Sequence, residues 1–428
     1  MKGYNQMQKA QITKCFAREI LDSRGNPTVE ATVILADGTV GVASVPSGAS
    51  TGIYEAHELR DKDPKRYCGL GVSTAVANVC RIISPVLSGV SALEQAEIDR
   101  ILVELDGSES KSKLGANAIL SVSLATARAA ANYYHMPIYR YLGGLDAYRL
   151  PTPMFNVLNG GAHASNNIEI QEFMIVPNGV SSFAEALRMG SEIYHTLGRM
   201  LKSDGKSTAV GDEGGFAPLL EDDEEALDYL CRAIEESGYN TELCKIALDC
   251  ASGEWYSDGE YVQPKRNKTL SSSDLCAYYN RLCDKYPIIS IEDGLDVRDA
   301  DGWKKLTCEL GGKIMLVGDD LFVTNPRRFH EGIRSGIANS ILVKPNQVGT
   351  LSEVLKVIHL ARDNGYSYIL SHRSGETEDT TIADIAVGTN APFIKSGAPC
   401  RSERVAKYNR LLRIESCLNS GACYGCFN

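Results

Sequence analysis

The stretches PIISIED (287–293), KIMLVGDD (313–320) and NSILVKP (339–345) decide how this chain folds. Each is an apolar run of strand length that ends on ionisable residues, and each is separated from the next by room for one helix. Working outward, three more runs share that build: 245–249 upstream, then 367–371 and 392–395 downstream. Helical periodicity fills 271–285, 351–364 and 380–388. Such alternation implies parallel strands joined by right-handed crossovers. The chain beyond residue 150 is long enough for a closed, TIM-like β/α barrel of about 250 residues, which fits better than an open sheet.

The N-terminal third reads differently. Short alternating runs over 13–45, with turns at 22–27 and 36–38, predict an antiparallel meander. A Gly/Ser-rich loop (47–52) leads into helical patterns at 72–87, 92–102 and 116–134. Strands followed by helices give a small α+β domain. The Gly- and Pro-rich stretch 141–153 marks its end. The expected organisation is a flexible extension (1–12), an α+β domain with a mobile loop (13–142), an α/β barrel (143–415) and a cysteine-bearing tail (416–428).

Composition narrows the function classes. At 43% hydrophobic and 23% charged residues over 428 positions, the chain is an ordinary globular one, not a disordered or fibrous one. No apolar run approaches the roughly 20 residues of a membrane span, and the polar first 14 residues lack a signal-peptide core. A cytoplasmic address is expected. A net charge of −10, without any basic run, argues against direct nucleic-acid binding. Most of the thirteen scattered cysteines read as buried thiols. Cys423 and Cys426 have the spacing of half a zinc site but no partner pair, so Cys417, Cys423 and Cys426 are expected on a mobile tail.

The chemistry lies at the strand ends. Asp249 closes the first, Glu292 and Asp293 the second, Asp319 and Asp320 the third and Lys344 the fourth; His372 and Arg373 follow the fifth, and Lys395 closes the sixth. One acid at a strand end is usually a turn or cap residue. Six ionisable ends in register are hard to explain that way, because barrel strands deliver their C-terminal ends to one mouth. Carboxylates from three strands suit Mg²⁺. Cationic side chains beside a metal need an anion between them, which points to a multiply anionic substrate such as a phosphorylated carboxylic acid. Lys344 near a divalent cation is suited to act as a base. Arg373 with Ser374 offers a phosphate-binding fork and hydroxyl. Loss of a hydroxyl needs an acid. Glu213 in VGDEGGF (210–216) fits, its proton affinity raised by Glu172 of IQEF (170–173), with Gln171 beside it and His163 in NGGAHA (159–164). Ser50, in the small-residue loop 47–51, could close over the mouth. GLGVST (69–74) lacks the third glycine of a dinucleotide fingerprint, no Walker loop is present, and the acidic run 221–225 reads as first-turn dipole compensation.

Nine motifs carry a resemblance: DSRGNPTVE from Asp22, VPSGASTG from Val45, KSKLGANAILSVSLA from Lys111, NVLNGGAHA from Asn156, VGDEGGFAP from Val210, SIEDGL from Ser290, LVGDDLFVTN from Leu316, SHRSGETED from Ser371 and AKYNRLLRIE from Ala406. Over 13–415 the chain resembles the enolase family in its bacterial form. The resemblance implies reversible dehydration of 2-phosphoglycerate to phosphoenolpyruvate with two Mg²⁺ per closed site. It implies Asp249, Glu292 and Asp319 as ligands of one Mg²⁺, and Ser50 joining the second. Lys344 would take the C2 proton, and Glu213, supported by Glu172, would protonate the leaving hydroxyl. His163, Gln171 and Lys395 would touch substrate, Arg373 and Ser374 its phosphate, with His372 alongside. It further implies a homodimer or octamer. Ser165, Pro345 and the stretch ASGEWY (251–256) depart from the family pattern, as does the tail after Glu415. Other proton-abstracting members of the wider superfamily carry an early Lys-x-Lys pair that is missing here. A noncatalytic paralogue, acting at the cell surface, as a secreted pool or in an RNA-degrading assembly, should have lost part of the catalytic set, and this chain retains it.

Overall fold

The computed structural model describes residues 9–48 and 52–425. Most of the expected N-terminal extension, Ser50 and Cys426 lie outside them.

Three antiparallel strands, β1 (Ile12–Leu21), β2 (Pro27–Leu35) and β3 (Val40–Ser44), form the meander. Asp22 shapes the first turn, its carboxylate accepting the backbone N–H of Arg24 and Asn26 at 2.8 and 2.9 Å. The sheet lies on the Ala-rich helix Ala116–Tyr133, of whose 18 residues 15 are buried. A Cβ at residue 41 would stand 2.1 Å from the Ala125 carbonyl oxygen, so only glycine permits this approach. On its other side the helix meets the barrel. Ser123 Oγ accepts the N–H of Leu351 at 3.0 Å, and Arg128 reaches Asp379 at 3.2 Å.

Eight strands close the barrel: β4 (Thr152–Asn159), β5 (Glu172–Val176), β6 (Lys245–Asp249), β7 (Ile288–Glu292), β8 (Met315–Gly318), β9 (Ser340–Val343), β10 (Ser367–Ser371) and β11 (Phe393–Lys395). The last six are those read from the sequence. β4 and β5 break the alternation, because β5 runs antiparallel to both β4 and β6. An antiparallel pair needs no crossover, so the loop 160–171 joins them without a helix longer than one turn. Two helices, Phe183–Ser203 and Asp223–Glu236, then lead into β6. The acidic run does begin the second helix: Asp222 accepts the N–H of Glu225 at 2.8 Å, and three acids occupy the first turn.

An apolar plug fills the barrel, made by Met154, Met174, Val176, Ala247, Val317, Leu342, Ile369 and Phe393. The end of the chain differs from the loose tail expected of it. Helix Ser402–Leu418 runs past Glu415, and Cys423–Tyr424 then pairs in parallel with Arg149–Leu150. The Tyr424 hydroxyl bonds the Pro177 carbonyl and its ring meets Phe183 edge-on, so aromatic burial holds the segment down. The twelve described cysteines are all free thiols, but only Cys15, Cys244, Cys250 and Cys276 are buried, so the expectation that most would be is corrected: several lie on outer helix faces that meet solvent.

Candidate active site

Register brings the strand ends together. Glu172 pairs with Asp249, and Asp249 with Glu292, across β5, β6 and β7. Lys395, from β11 on the far wall, reaches all three: its Nζ is 2.8 Å from Asp249, 2.9 Å from Glu292 and 3.3 Å from Glu172. Burial alone would depress this ammonium, but the carboxylates hold its pKa well above the usual lysine range. One lysine does not balance three acids. Burial, with Asp249 alongside, pushes Glu292 well above the carboxylate range.

Asp319 follows β8 and forms an ion pair with Lys344, which follows β9. Asp319 also accepts Gln347 Nε2 at 2.9 Å. Burial would lower the Lys344 pKa, and the Asp319 charge outweighs it, so the lysine is held protonated where a ready base was expected. Beneath this pair Val323 and Thr324 take left-handed φ values of 44° and 53°, uncommon for β-branched residues. Thr324 Oγ1 accepts the Lys344 N–H at 2.9 Å and donates to Gln347 at 2.7 Å, fixing both neighbours of Asp319. Asp293 is committed to the backbone. Its two oxygens accept the N–H groups of Asp319 and Asp320 at 3.0 and 2.8 Å.

The acid side is a carboxyl pair. Asn156 donates to Glu213 at 3.1 Å, His372 Nε2 stands 3.3 Å from the same oxygen, and His163 Nδ1 is 3.6 Å from Glu172. Arg404, fully buried, places a guanidinium nitrogen 2.7 Å from His372 Nδ1. An arginine can only donate, so Nδ1 accepts and the imidazole proton is on Nε2, facing Glu213. Burial pushes the His372 pKa down to about 4. Burial would raise Glu213, yet His372, His163 and Arg404 hold it well below the carboxylate range. Glu172, buried beside Glu213 and Asp249, is raised well above it. The two carboxyls are thus pushed in opposite directions, Glu172 up by burial and the charges beside it, Glu213 down by the nitrogen-bearing side chains around it.

Arg373 is buried and engaged by Glu55, at 2.8 and 3.3 Å. His163, Gln171, Glu172, Glu213, Asp249, Asp319, Lys344, His372, Arg373, Ser374 and Lys395 line one cleft, so the structure brings these expected residues together; Glu292 lies beneath, bonded to Lys395. Ser50 lies outside the described residues. Glu55, Asn156, Gln347 and Arg404 were given no role from the sequence; Asn156 opens the quoted NVLNGGAHA, and Glu55, Gln347 and Arg404 lie within three residues of VPSGASTG, NSILVKP and AKYNRLLRIE.

The donor set suits a cation. Glu172, Asp249, Glu292 and Asp319 share two lysines, Lys344 and Lys395, as close ion-pair partners, and among the described residues the buried Glu292 Oε1 has no hydrogen-bond partner. A desolvated carboxylate oxygen in surplus negative charge favours a divalent ion. Two groups of side chains bring ligand atoms within 4.8 Å of one another: His163, Glu172 and Glu213, and Asp293, Asp319 and Asp320. Asp249 and Glu292 are bridged by Lys395, so the expected set Asp249, Glu292 and Asp319 is divided between two lysines.

A small α+β domain ahead of a β/α barrel, with a carboxylate-rich mouth whose donor set suits a divalent ion, is the build of a metal-dependent lyase. Residues 12–142 match the family model described as enolase, N-terminal domain, and residues 147–428 the one described as enolase, C-terminal TIM barrel domain. The chain belongs to the enolase family. Its activity is a metal-dependent dehydration. Among the described residues no helix is long and apolar enough to cross a membrane.

Proposed function

We propose that the chain interconverts 2-phosphoglycerate and phosphoenolpyruvate. The observation that supports this reading most is that Lys344 and the Glu213–Glu172 pair line the same cleft, with Arg373 and Ser374 also on its wall. Lys344 removes the C2 proton, and the carboxyl pair supplies a proton to the departing C3 hydroxyl. A proton shared by the pair and carried by Glu213 arms the acid. His372, with its Nε2 3.3 Å from Glu213, keeps that carboxylate oriented.

Arg373 and Ser374 receive the phosphate, for which Arg373 exchanges one of its Glu55 contacts. Lys395, His163 and Gln171 orient the carboxylate end. Asp249, Glu292 and Asp319 would hold one Mg²⁺, and Ser50 would join a second. Bound there, the two ions would stabilise the extra negative charge that develops on the substrate carboxylate after C2 deprotonation. An Asp319 committed to that ion would release Lys344 from the ion pair that keeps it protonated and leave it free to act as the base. A homodimer or octamer is part of the same reading.

The test is ultraviolet detection of phosphoenolpyruvate from 2-phosphoglycerate with Mg²⁺, with chelator, and with Glu213→Gln. Metal-dependent product that vanishes in the variant is the expected result. Folded, metal-loaded protein that makes none would overturn the reading.

A further inference from the structure

The loop that carries His163 is gripped from outside the barrel. Lys265 lies at the tip of a hairpin made by Glu260–Gln263 and Lys268–Leu270, which forms no part of the barrel wall. Its Nζ donates to the carbonyl oxygens of Gly161 and Ala164 at 2.8 and 3.1 Å and to Asn166 Oδ1 at 3.2 Å. An ammonium has three donor protons. Here all three acceptors come from the single stretch 161–166. The hairpin tip is itself anchored, since Glu169 Oε1 accepts the N–H of Lys265 and of Arg266 at 2.8 and 2.7 Å. Glu169 and Ile170 in turn donate their backbone N–H groups to the buried Asp223.

The loop's own closure is thin. Gly161 donates to the Ile168 carbonyl and Asn166 to the Asn159 and Pro218 carbonyls, and only one 3-10 turn, Gly161–His163, is regular. A surface lysine is ordinarily solvated, and this one has exchanged water for a saturated set of loop acceptors. We propose that Lys265 is a positioning residue. Its ammonium fixes the shape of 161–166 and so sets the His163 imidazole against Glu172. The proposal deepens the functional reading above and rests on His163 meeting the substrate there.

The test is a double-mutant cycle with Lys265→Met and His163→Asn, following kcat and KM for 2-phosphoglycerate with Mg²⁺, together with amide hydrogen exchange of the 160–168 segment in the four intact proteins. Lys265→Met is expected to lower kcat/KM about tenfold, as a sub-ångström misplacement does. In the His163→Asn background it should change kcat/KM less than about twofold. The Gly161 and His163 amides should exchange faster in Lys265→Met, while barrel-strand amides stay protected. An equal loss in both backgrounds, or unaltered exchange at Gly161 and His163, would overturn the proposal. If the wild type fails to turn over 2-phosphoglycerate, or His163→Asn is unimpaired, the functional reading falls and the exchange measurement alone decides the role of Lys265.

Discussion

Met154, Ala247, Val317, Leu342 and Phe393 line one level of the barrel interior; Asn156, Asp249, Asp319, Lys344 and Lys395, each two residues further along the same chain segment, line the next. Side chains two apart share a face of a strand. One pleat therefore separates a plug held by non-directional packing from a layer in which each group has a charged partner. The reversed strand proves the rule, since in β5 the order is inverted: the plug residue is Met174 and the mouth residue Glu172 comes before it. The two levels have divided their tasks, stability below and chemistry above.

The strongest way to break that comparison is Lys344→Ala, which should slow C2 proton exchange with solvent by about a thousandfold or more while leaving the fold intact. Exchange that persists would remove Lys344 from the base role. Next is Leu342→Ala, one pleat below. It should cost about 2–5 kcal/mol in denaturant unfolding, with turnover per folded molecule almost unchanged; an equal loss of turnover would erase the distinction between the levels.

A third measurement sharpens the upper level. His372 is held neutral with a pKa pushed down to about 4, below its unfolded value near 6.5. Its contribution is fully present above pH 6.5 and is lost as the pH falls toward 4, because only the unfolded chain takes up the proton there. His372→Gln should flatten the pH dependence of thermal unfolding in that window by up to about 3 kcal/mol relative to wild type, read as the difference between the two proteins. The smallest effect is expected from Glu292→Gln. Removing one of the crowded carboxylates should stabilise the metal-free protein by about 1 kcal/mol and weaken Mg²⁺ binding in calorimetry. Lower metal-free stability would show that Lys395 needs all its partners.

The strand ends were legible because a β/α unit places its ionisable residue after an apolar run of fixed length. β4 and β5 were not. Every residue of each is buried; β4 mixes polar with apolar residues and so shows no alternation, and β5 is a four-residue apolar run with its ionisable residue in front rather than behind. Glu172 stands at the start of its strand, and a search of strand C-terminal ends passes over it. Motif context supplied it instead. Arg404 and Glu55 reach the site from a helix and from the loop after Ser50, where spacing says nothing of where a long side chain ends. The opposite pKa shifts of Glu172 and Glu213 follow from which side chains surround each carboxylate, and spacing along the chain does not show that. The ordered end of the chain was missed because two short pairings and one tyrosine ring leave no periodic trace.

The helix Ala116–Tyr133 has almost no face of its own, pressed as it is between the meander and the barrel. A gene cut on either side of it would therefore release neither half in a usable form. The fragment that kept the helix would expose an alanine-rich wall to solvent, and the other would expose the groove that wall filled. Shuffling of the small domain onto other barrels is closed to this architecture unless the helix and its seat travel together.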